Sequence, residues 1–472
     1  MRTLGLVVPL LVLLGAAPAH AASRLVIRGA GFGHGIGMSQ YGAFGLSLQG
    51  VGYRAILARY YQGTSLAELD RAPDVRVLLQ GGRRSVKVAG AVSVGGRRLN
   101  PALTYRVVRR GAGLVIRQGG RALLTSAPPM RIAAPAGGSL VLEGVSVPGI
   151  RDGRYRGALE LRPGSSGVNV INALDLETYI RGVVGAESPA SWPAEALKAQ
   201  AVAARTYAIT TRVGSLSDGF DQYADTRSQV YRGVAAETAR TDAAISATHG
   251  QVVTYNGTPV TTYFFSTSGG HTENIENSFV GADPKPWLKG VEDPYDDLSP
   301  RHRWGPFTFT IRQVQQRLNG LVKGRFRRIR VLQRGTSPRV VYAQIVGSRG
   351  RTKVTGPTLR TRFGLFDTWA SFRTVTTKVQ SAAARGAAAA VPGAGGVVAR
   401  GRATGRARVL TGSIRPGRRG TWVRVQRRAH GRWTTAVDTR LGRGGRYTVA
   451  LPRPGTYRVR AGGTVGPAVR AR

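Results

Sequence analysis

Between Val75 and Val170 the apolar residues come in short runs of strand length, and Gly or Pro separates each run from the next. The runs Val75 to Leu79, Val86 to Val88, Leu114 to Arg117, Leu140 to Leu142 and Val168 to Ile171 predict a sheet-rich region over about 75–170. The period then changes. Leu197, Ala201, Ala204 and Ala208 recur at helical spacing, a stripe of small residues that lets one helix lie close against its neighbour. Ser191 is the expected N-cap of that helix, Pro193 suits its first turn, and the Ala-rich sequence that follows has high helix propensity. Leu174 to Val184 reads as a short helix or turn ahead of it, and Gln251 to Tyr255 and Val260 to Ser266 read as strands behind it. The fold class is α+β, strand-rich with one prominent helix.

From about 378 to 405 Ala and Gly dominate, a composition that buries little and predicts a linker. Beyond it Ala407 to Leu410, Thr421 to Gln426, Trp433 to Val437, Tyr447 to Leu451 and Tyr457 to Arg460 alternate apolar and polar residues at strand period. They predict a small all-β module over 406–472, an Ig-like sandwich. At the other end, Arg2, the apolar run Leu4 to Leu14 and the small-x-small triplet Ala19-His20-Ala21 predict a secretory signal peptide over 1–21, cleaved before Ala22. The run is too short to span a bilayer comfortably. The expected location is outside the cytoplasm, associated with the cell wall.

Composition narrows the chemistry. The 472 residues hold no cysteine, which excludes disulfides, thiolate metal sites and cysteine nucleophiles. The formal charge of +45 calls for anionic partners, of which cell-wall polymers fit an exported protein better than lipid headgroups or extracellular nucleic acid. A genome that favours Arg and Ala accounts for part of that excess. After Asp367 the only acidic residue is Asp438, so the terminal module is almost purely cationic and reads as an adhering module rather than a second enzyme. No specific nucleic-acid motif and no cofactor signature is present.

Four segments concentrate groups able to do chemistry. Gly185 to Tyr207 places Glu187 on a Pro/Trp turn before the helix, and Lys198 and Arg205, seven residues apart, project from one helix face roughly 10 Å from each other. Glu187 near a helix start also reads as a dipole partner, and Asp175, Glu177 and Glu195 are its rivals. Arg28 to Ala43 is too rich in glycine for an ordinary element and lacks a phosphate-loop ending; its backbone is suited to close approach by a ligand or a strand, with His34, Ser39, Gln40 and Tyr41 as the polar groups. Tyr263 to Glu273 runs a strand into a hydroxyl-rich turn containing Ser266 and Ser268. A Ser-His-Asp hydrolase on Ser266 or Ser268 with His271 lacks the nucleophile elbow, and His271, Glu273 and Glu276 match no helical zinc spacing. Tyr223 to Gly233 collects sugar-binding residue types, among them Asp225, Gln229 and Tyr231, which are equally common on ordinary surfaces.

Glu187 to Tyr207, preceded by Val168 to Asn172 and Leu176 to Val184, resembles the core signature of the SpoIID/LytB family of sporulation and amidase-enhancer proteins. The His34 segment and Ser266-Thr267-Ser268-Gly269-Gly270 resemble two further blocks, so the resemblance covers about 24–372. It implies a domain acting on peptidoglycan glycan strands, with Glu187 as acid/base of a lytic transglycosylase that leaves 1,6-anhydro-muramoyl ends. Lys198 and Arg205 are then expected on substrate acyl or lactyl oxygens, and Tyr207, His34, Ser39, Gln40, Asp225, Gln229, Tyr231, Ser266 and Ser268 are the other expected binding residues. The second branch of the family implies instead a noncatalytic enhancer of a cell-wall amidase, and a plain wall adhesin is the third reading. Two departures stand out: the Gly/His block precedes the Glu187 block here, and with no cysteine the zinc site that some sporulation members build from Cys and His cannot be carried over.

Overall fold

The computed structural model describes residues 21–144, 153–381 and 408–471. The expected signal peptide apart from Ala21, and the expected linker from 382 onward, lie outside the described residues.

The α+β reading holds. All five predicted runs in the sheet-rich region lie within strands, split between a seven-stranded and a six-stranded sheet. Their inward residues, such as Val77, Val107, Ile116, Leu159 and Val170, form one core with the helices Leu176–Glu187 and Ala194–Thr210. The expected stripe Leu197, Ala201, Ala204 and Ala208 packs there. Ala199, Val202 and Ala203 on the same helix enter a second core with Ile36, Met38, Tyr60 and Val253. Buried on two sides, the long helix has little free face: from Ala196 to Ala208 every residue but Lys198 is buried.

Helix boundaries differ from expectation in one way that matters for the site. The segment expected as a short helix or turn is a helix of 12 residues, capped by Asp175, whose side chain accepts from Thr178 N–H, and Glu187 is its last residue. Glu187 therefore closes one helix and does not stand at the mouth of the next. The N-cap of the long helix is Pro193, not Ser191. Trp192 N–H turns back to Pro189 O (3.0 Å), so Ser191 and Trp192 belong to the connecting turn, and Pro193 O accepts the first helical bonds. The strand expected over Val260 to Ser266 is reduced to Phe264–Phe265, because the preceding residues lie against the long helix, where Thr262 Oγ1 donates to Ala203 O.

The five terminal strands form where the alternation places them. They do not stand apart from the rest. The strand Ala370–Ser381 runs past Lys378 into the expected linker and pairs with Arg408–Arg415, which pairs with Arg446–Ala450. On its other side it pairs with Ala21–Ala30, giving an antiparallel sheet that main domain and module share. Val26 and Val375 accordingly pack into the module's core with Leu410, Val425 and Tyr457.

Candidate active site

Three segments far apart in sequence close on one point. Phe264–Phe265 pairs in parallel with Met38–Ser39, Phe32 and Thr267 exchange backbone bonds of 2.8 and 3.1 Å, and Tyr41 N–H donates to Ser266 O at 3.0 Å. The glycines permit this backbone contact. A Cβ on Gly37, where φ is +73°, would lie 2.1 Å from Tyr263 O, and one on Gly35, at φ +86°, 2.5 Å from Arg339 Nε. Their close approach is thus to a neighbouring strand and a buried guanidinium.

The third segment supplies Glu187. Its Oε1 accepts from Val230 N–H at 2.7 Å, while Gln40 Nε2 lies 3.3 Å from both Oε2 and the Glu187 carbonyl oxygen and 3.4 Å from Gln200 Oε1. Glu187 is half-buried, and its carboxyl is packed closely enough that burial raises its pKa, against the opposing pull of the Val230 and Gln40 bonds and of Arg232. Its place at a helix C-terminus, where the dipole disfavours negative charge, acts in the same direction as burial. Tyr207, whose own pKa is pushed up to about 12 by burial, adds an aromatic hydroxyl close enough to feel the Glu187 charge.

The rival carboxylates are all engaged in structure. Asp175 caps its helix. Glu177 takes both arms of Arg205 at 2.7 and 2.8 Å. Glu195 accepts from Tyr53 N–H (2.8 Å) and Lys198 Nζ (2.7 Å). Among the described residues Glu187 alone of these four accepts from neutral donors while its burial holds the pKa up.

The expected glycan-holding cations are not at this point. Arg205 is fully buried, and besides Glu177 it donates to Gln251 O at 3.1 Å. Lys198 is paired with Glu195 and lies over the Tyr53 ring. The face that meets Glu187 is the one two residues on, about 200° around the helix. Gln200 and Tyr207, with the same seven-residue separation, are on it.

Several other expected binding residues are struts. Ser39 is fully buried and caps the helix Gln40–Leu48 by accepting from Gly42 N–H. His34 has both ring nitrogens engaged by backbone: Nδ1 accepts from Ile36 N–H, which leaves Nε2 to donate to Phe264 O, each at 3.1 Å. Burial and the field of Arg360 lower its pKa to about 3, so it stays neutral. Gln229 is buried between Tyr179 Oη (3.0 Å) and Ala204 O (3.1 Å), and Tyr231 is buried with its hydroxyl on Asn172 Oδ1 (2.6 Å). Ser268 is fully buried and accepts from Gly270 N–H. Ser266 keeps partial exposure, its Oγ 3.1 Å from Thr267 Oγ1. Asp225 is exposed, but its contacts are with Arg227. His271, Glu273 and Glu276 do not converge either: Glu273 is buried against Ser337 and Thr336, and Glu276 pairs with Lys289.

Of the expected residues, Gln40 therefore bonds Glu187 and Tyr207 lies within reach of its charge. Sequence reasoning missed Gln200, Val230 and Arg232; it singled out Trp192, Tyr41 and Tyr207 but not the two aromatic groups in which they gather. Phe44 stacks on Trp192 (4.8 Å between ring centres) with Tyr41 edge-on to both, and Tyr207 meets Tyr263 and Phe264 edge-on at 5.8 and 6.1 Å. Tyr41, Phe44, Tyr263 and Phe264 are only partly buried. Gln200 was available from the helix period, since the rule that pairs Lys198 with Arg205 also pairs Gln200 with Tyr207.

Residues 164–255, which hold Glu187, the long helix and Val230, match the sequence model of the family described as Stage II sporulation protein, SpoIID. Stage II sporulation protein D of Bacillus subtilis (strain 168) is 37% identical over 174 residues, covering 33% of this chain and 48% of that protein. The Stage II sporulation protein D of Bacillus amyloliquefaciens is 32% identical over 210 residues, 41% of this chain and 59% of that one. A Bacillus subtilis protein named Amidase enhancer is 38% identical over 136 residues, 29% of this chain and 17% of its own length. The chain spans about half the length of the sporulation relatives it matches.

Proposed function

The chain belongs to the SpoIID/LytB family, and from that premise we propose that it is exported and cleaves peptidoglycan glycan strands as a lytic transglycosylase, with Glu187 as acid and then base. The observation that carries this reading is the Glu187 carboxyl itself: buried enough to raise its pKa, held by neutral donors, and placed where three sequence blocks meet.

Oε1 is anchored by Val230 N–H at 2.7 Å, whereas among the described residues Oε2 has only the long contact to Gln40, so Oε2 is the oxygen free to carry and deliver the proton. In the forward step the proton passes to the glycosidic oxygen, the bond to C1 breaks, and the released sugar leaves with a new hydroxyl. The C6 hydroxyl of the muramoyl unit then bonds to C1 and returns its proton to Glu187. No water is consumed and the carboxyl is regenerated, so a second carboxylate is not required, unlike in an ordinary glycosidase. The partly buried rings of Tyr41, Phe44, Tyr263 and Phe264, backed by the buried Trp192 and Tyr207, offer faces and edges for sugar contact. The basic β module serves in this reading to hold the protein on anionic wall polymers.

The similarity to a protein named Amidase enhancer supports a second reading, a glycan-binding protein that stimulates a separate cell-wall amidase. Incubating the protein alone with peptide-free glycan strands, and with such an amidase on intact wall material, separates them. The enzyme reading predicts 1,6-anhydro ends without the amidase, and the enhancer reading predicts none but faster stem-peptide release when the amidase is present.

A further inference from the structure

Along one face of the strand Ala370–Ser381 the chemistry changes. Ala370 and Phe372 are buried in the core formed with the strand Phe326–Arg334. The next residues on that face are Thr374, Thr376 and Lys378. The cross-strand register continues the polar surface: Thr374 faces Arg415, Thr376 faces Ser413, Lys378 faces Thr411, and Ser413 faces Arg446. The opposite face, with Val375, Leu410 and Ile414, is the module's core. The shared sheet is thus apolar on one side and, beyond the cover of the Phe326–Arg334 strand, lined by hydroxyls and cations on the other.

Two clefts open there. One, of about 710 Å³, lies over Thr374, Thr376 and Ser413 with Arg325, Arg327 and Arg446 in its walls. The other, of about 660 Å³, has Ile329 and Phe372 in its lining and Arg328, Arg330, Arg334 and Arg373 around it. Arg415 lines both, so they are neighbouring parts of one trough. Neither lining contains a carboxylate. The one acid in the last hundred residues, Asp438, is 3.5 Å from Arg424 on a different sheet. At the junction two facing residues carry polar atoms that are buried without a partner, Thr374 Oγ1 and Arg415 Nε, and Thr374 is only 6% exposed.

So many cations without an acid repel one another and focus a positive field into the trough. The hydroxyl walls of the first cleft suit a hydroxylated chain, and the second adds cations around an apolar floor. The aromatic residues of the lining, Phe326, Phe372 and Tyr447, are buried, which leaves no ring on which a nucleobase would stack. We propose that this trough binds a linear polyanion whose charges are phosphodiesters on a base-free, hydroxylated backbone, of the poly(glycerol phosphate) kind. The wall reading supplies only the setting in which such a polymer is met; the binding does not depend on whether Glu187 turns over.

The test is titration of the full chain, without its expected signal peptide, with synthetic poly(glycerol phosphate) and with oligothymidylate of equal charge, each at low and moderate salt. Arg327→Glu with Arg446→Glu alters the trough, and Arg424→Glu with Arg460→Glu makes the same change in net charge elsewhere. The trough pair should weaken polymer binding about tenfold or more and flatten its salt dependence, while the second pair changes it by less than about threefold. Equal weakening by both pairs overturns the proposal in favour of net charge alone. Oligothymidylate binding that is as tight and as sensitive to the trough pair overturns it in favour of a nucleic-acid site, and failure of the unaltered protein to bind the polymer overturns it outright. Thermal unfolding checks both variants, and Arg327→Gln with Arg446→Gln replaces the trough pair if the reversal does not fold.

Discussion

Gln40 Nε2 lies at 3.3 Å from both the backbone carbonyl oxygen and Oε2 of Glu187, joining residues separated by 147 positions. The bond favours the carboxylate form. Replacing Gln40 with Leu removes it, so the Glu187 pKa should move further up and the alkaline limb of any glycan cleavage should shift to higher pH. The stability cost should be about 1 kcal/mol, because the bonds are long and neutral. A pH–rate profile of Gln40→Leu beside the parent reads both the direction and whether the site still assembles.

Glu187 itself should cost stability when ionised. Its folded pKa is raised, so its stabilising contribution is full below the ordinary carboxylate value and is lost as pH rises through the raised one. Glu187→Gln should therefore unfold at a higher temperature than the parent at pH 8, by on the order of 3 °C, and at nearly the same temperature at pH 4. Calorimetry at the two values checks the sign.

Arg205 and Lys198 should behave unlike a matched pair. Arg205→Ala strands Glu177 without its bidentate partner in a site where the guanidinium is fully buried, at a cost of about 3–5 kcal/mol. Lys198→Ala removes a partly exposed pair with Glu195 and should cost no more than about 1 kcal/mol. Denaturant midpoints measure the contrast. A direct glycan-holding role for Arg205 would instead weaken substrate binding while stability stayed near that of the parent.

His34 makes a prediction in the acid range. Its folded pKa is lowered to about 3, so the unfolded chain, with an ordinary value near 6.5, takes up the proton first as the pH falls. The stability that neutral His34 contributes is present above pH about 6.5 and is lost progressively toward pH 3. His34→Leu should be less stable than the parent at pH 7 by about 1–3 kcal/mol, since Ile36 N–H and Phe264 O lose their partner, and the gap should narrow at pH 4. Urea unfolding at both values checks it.

The sequence made the elements legible where period alone decides them. The strand runs of the sheet-rich region, the long helix with its Leu197 to Ala208 stripe, and the terminal strands all follow from local spacing. Glu187 was legible through its block, whereas Gln40 was legible only as a binding residue and its bond to Glu187 came from the fold. The partners of Lys198 and Arg205 were not, because helical period tells which residues share a face and not which face a second core will cover. The buried roles of Ser39, Gln229, Tyr231 and Ser268 were hidden for the same reason: hydroxyl, amide and phenol groups serve a sugar or a backbone equally well, and burial decides between them. Nor does alternation within single strands reveal that Ala370–Ser381 joins the terminal module to the main domain, since that joining is long-range pairing.

The central claim is that Glu187 transfers the proton in glycan cleavage, and its most direct measurement is the yield of 1,6-anhydro-muramoyl ends from peptide-free glycan strands. The parent protein should release them, and Glu187→Gln, folded by the calorimetric criterion above, should be slower by about 10²–10⁴-fold. Equal yields from both proteins, or none from the parent on strands it demonstrably binds, would contradict the account.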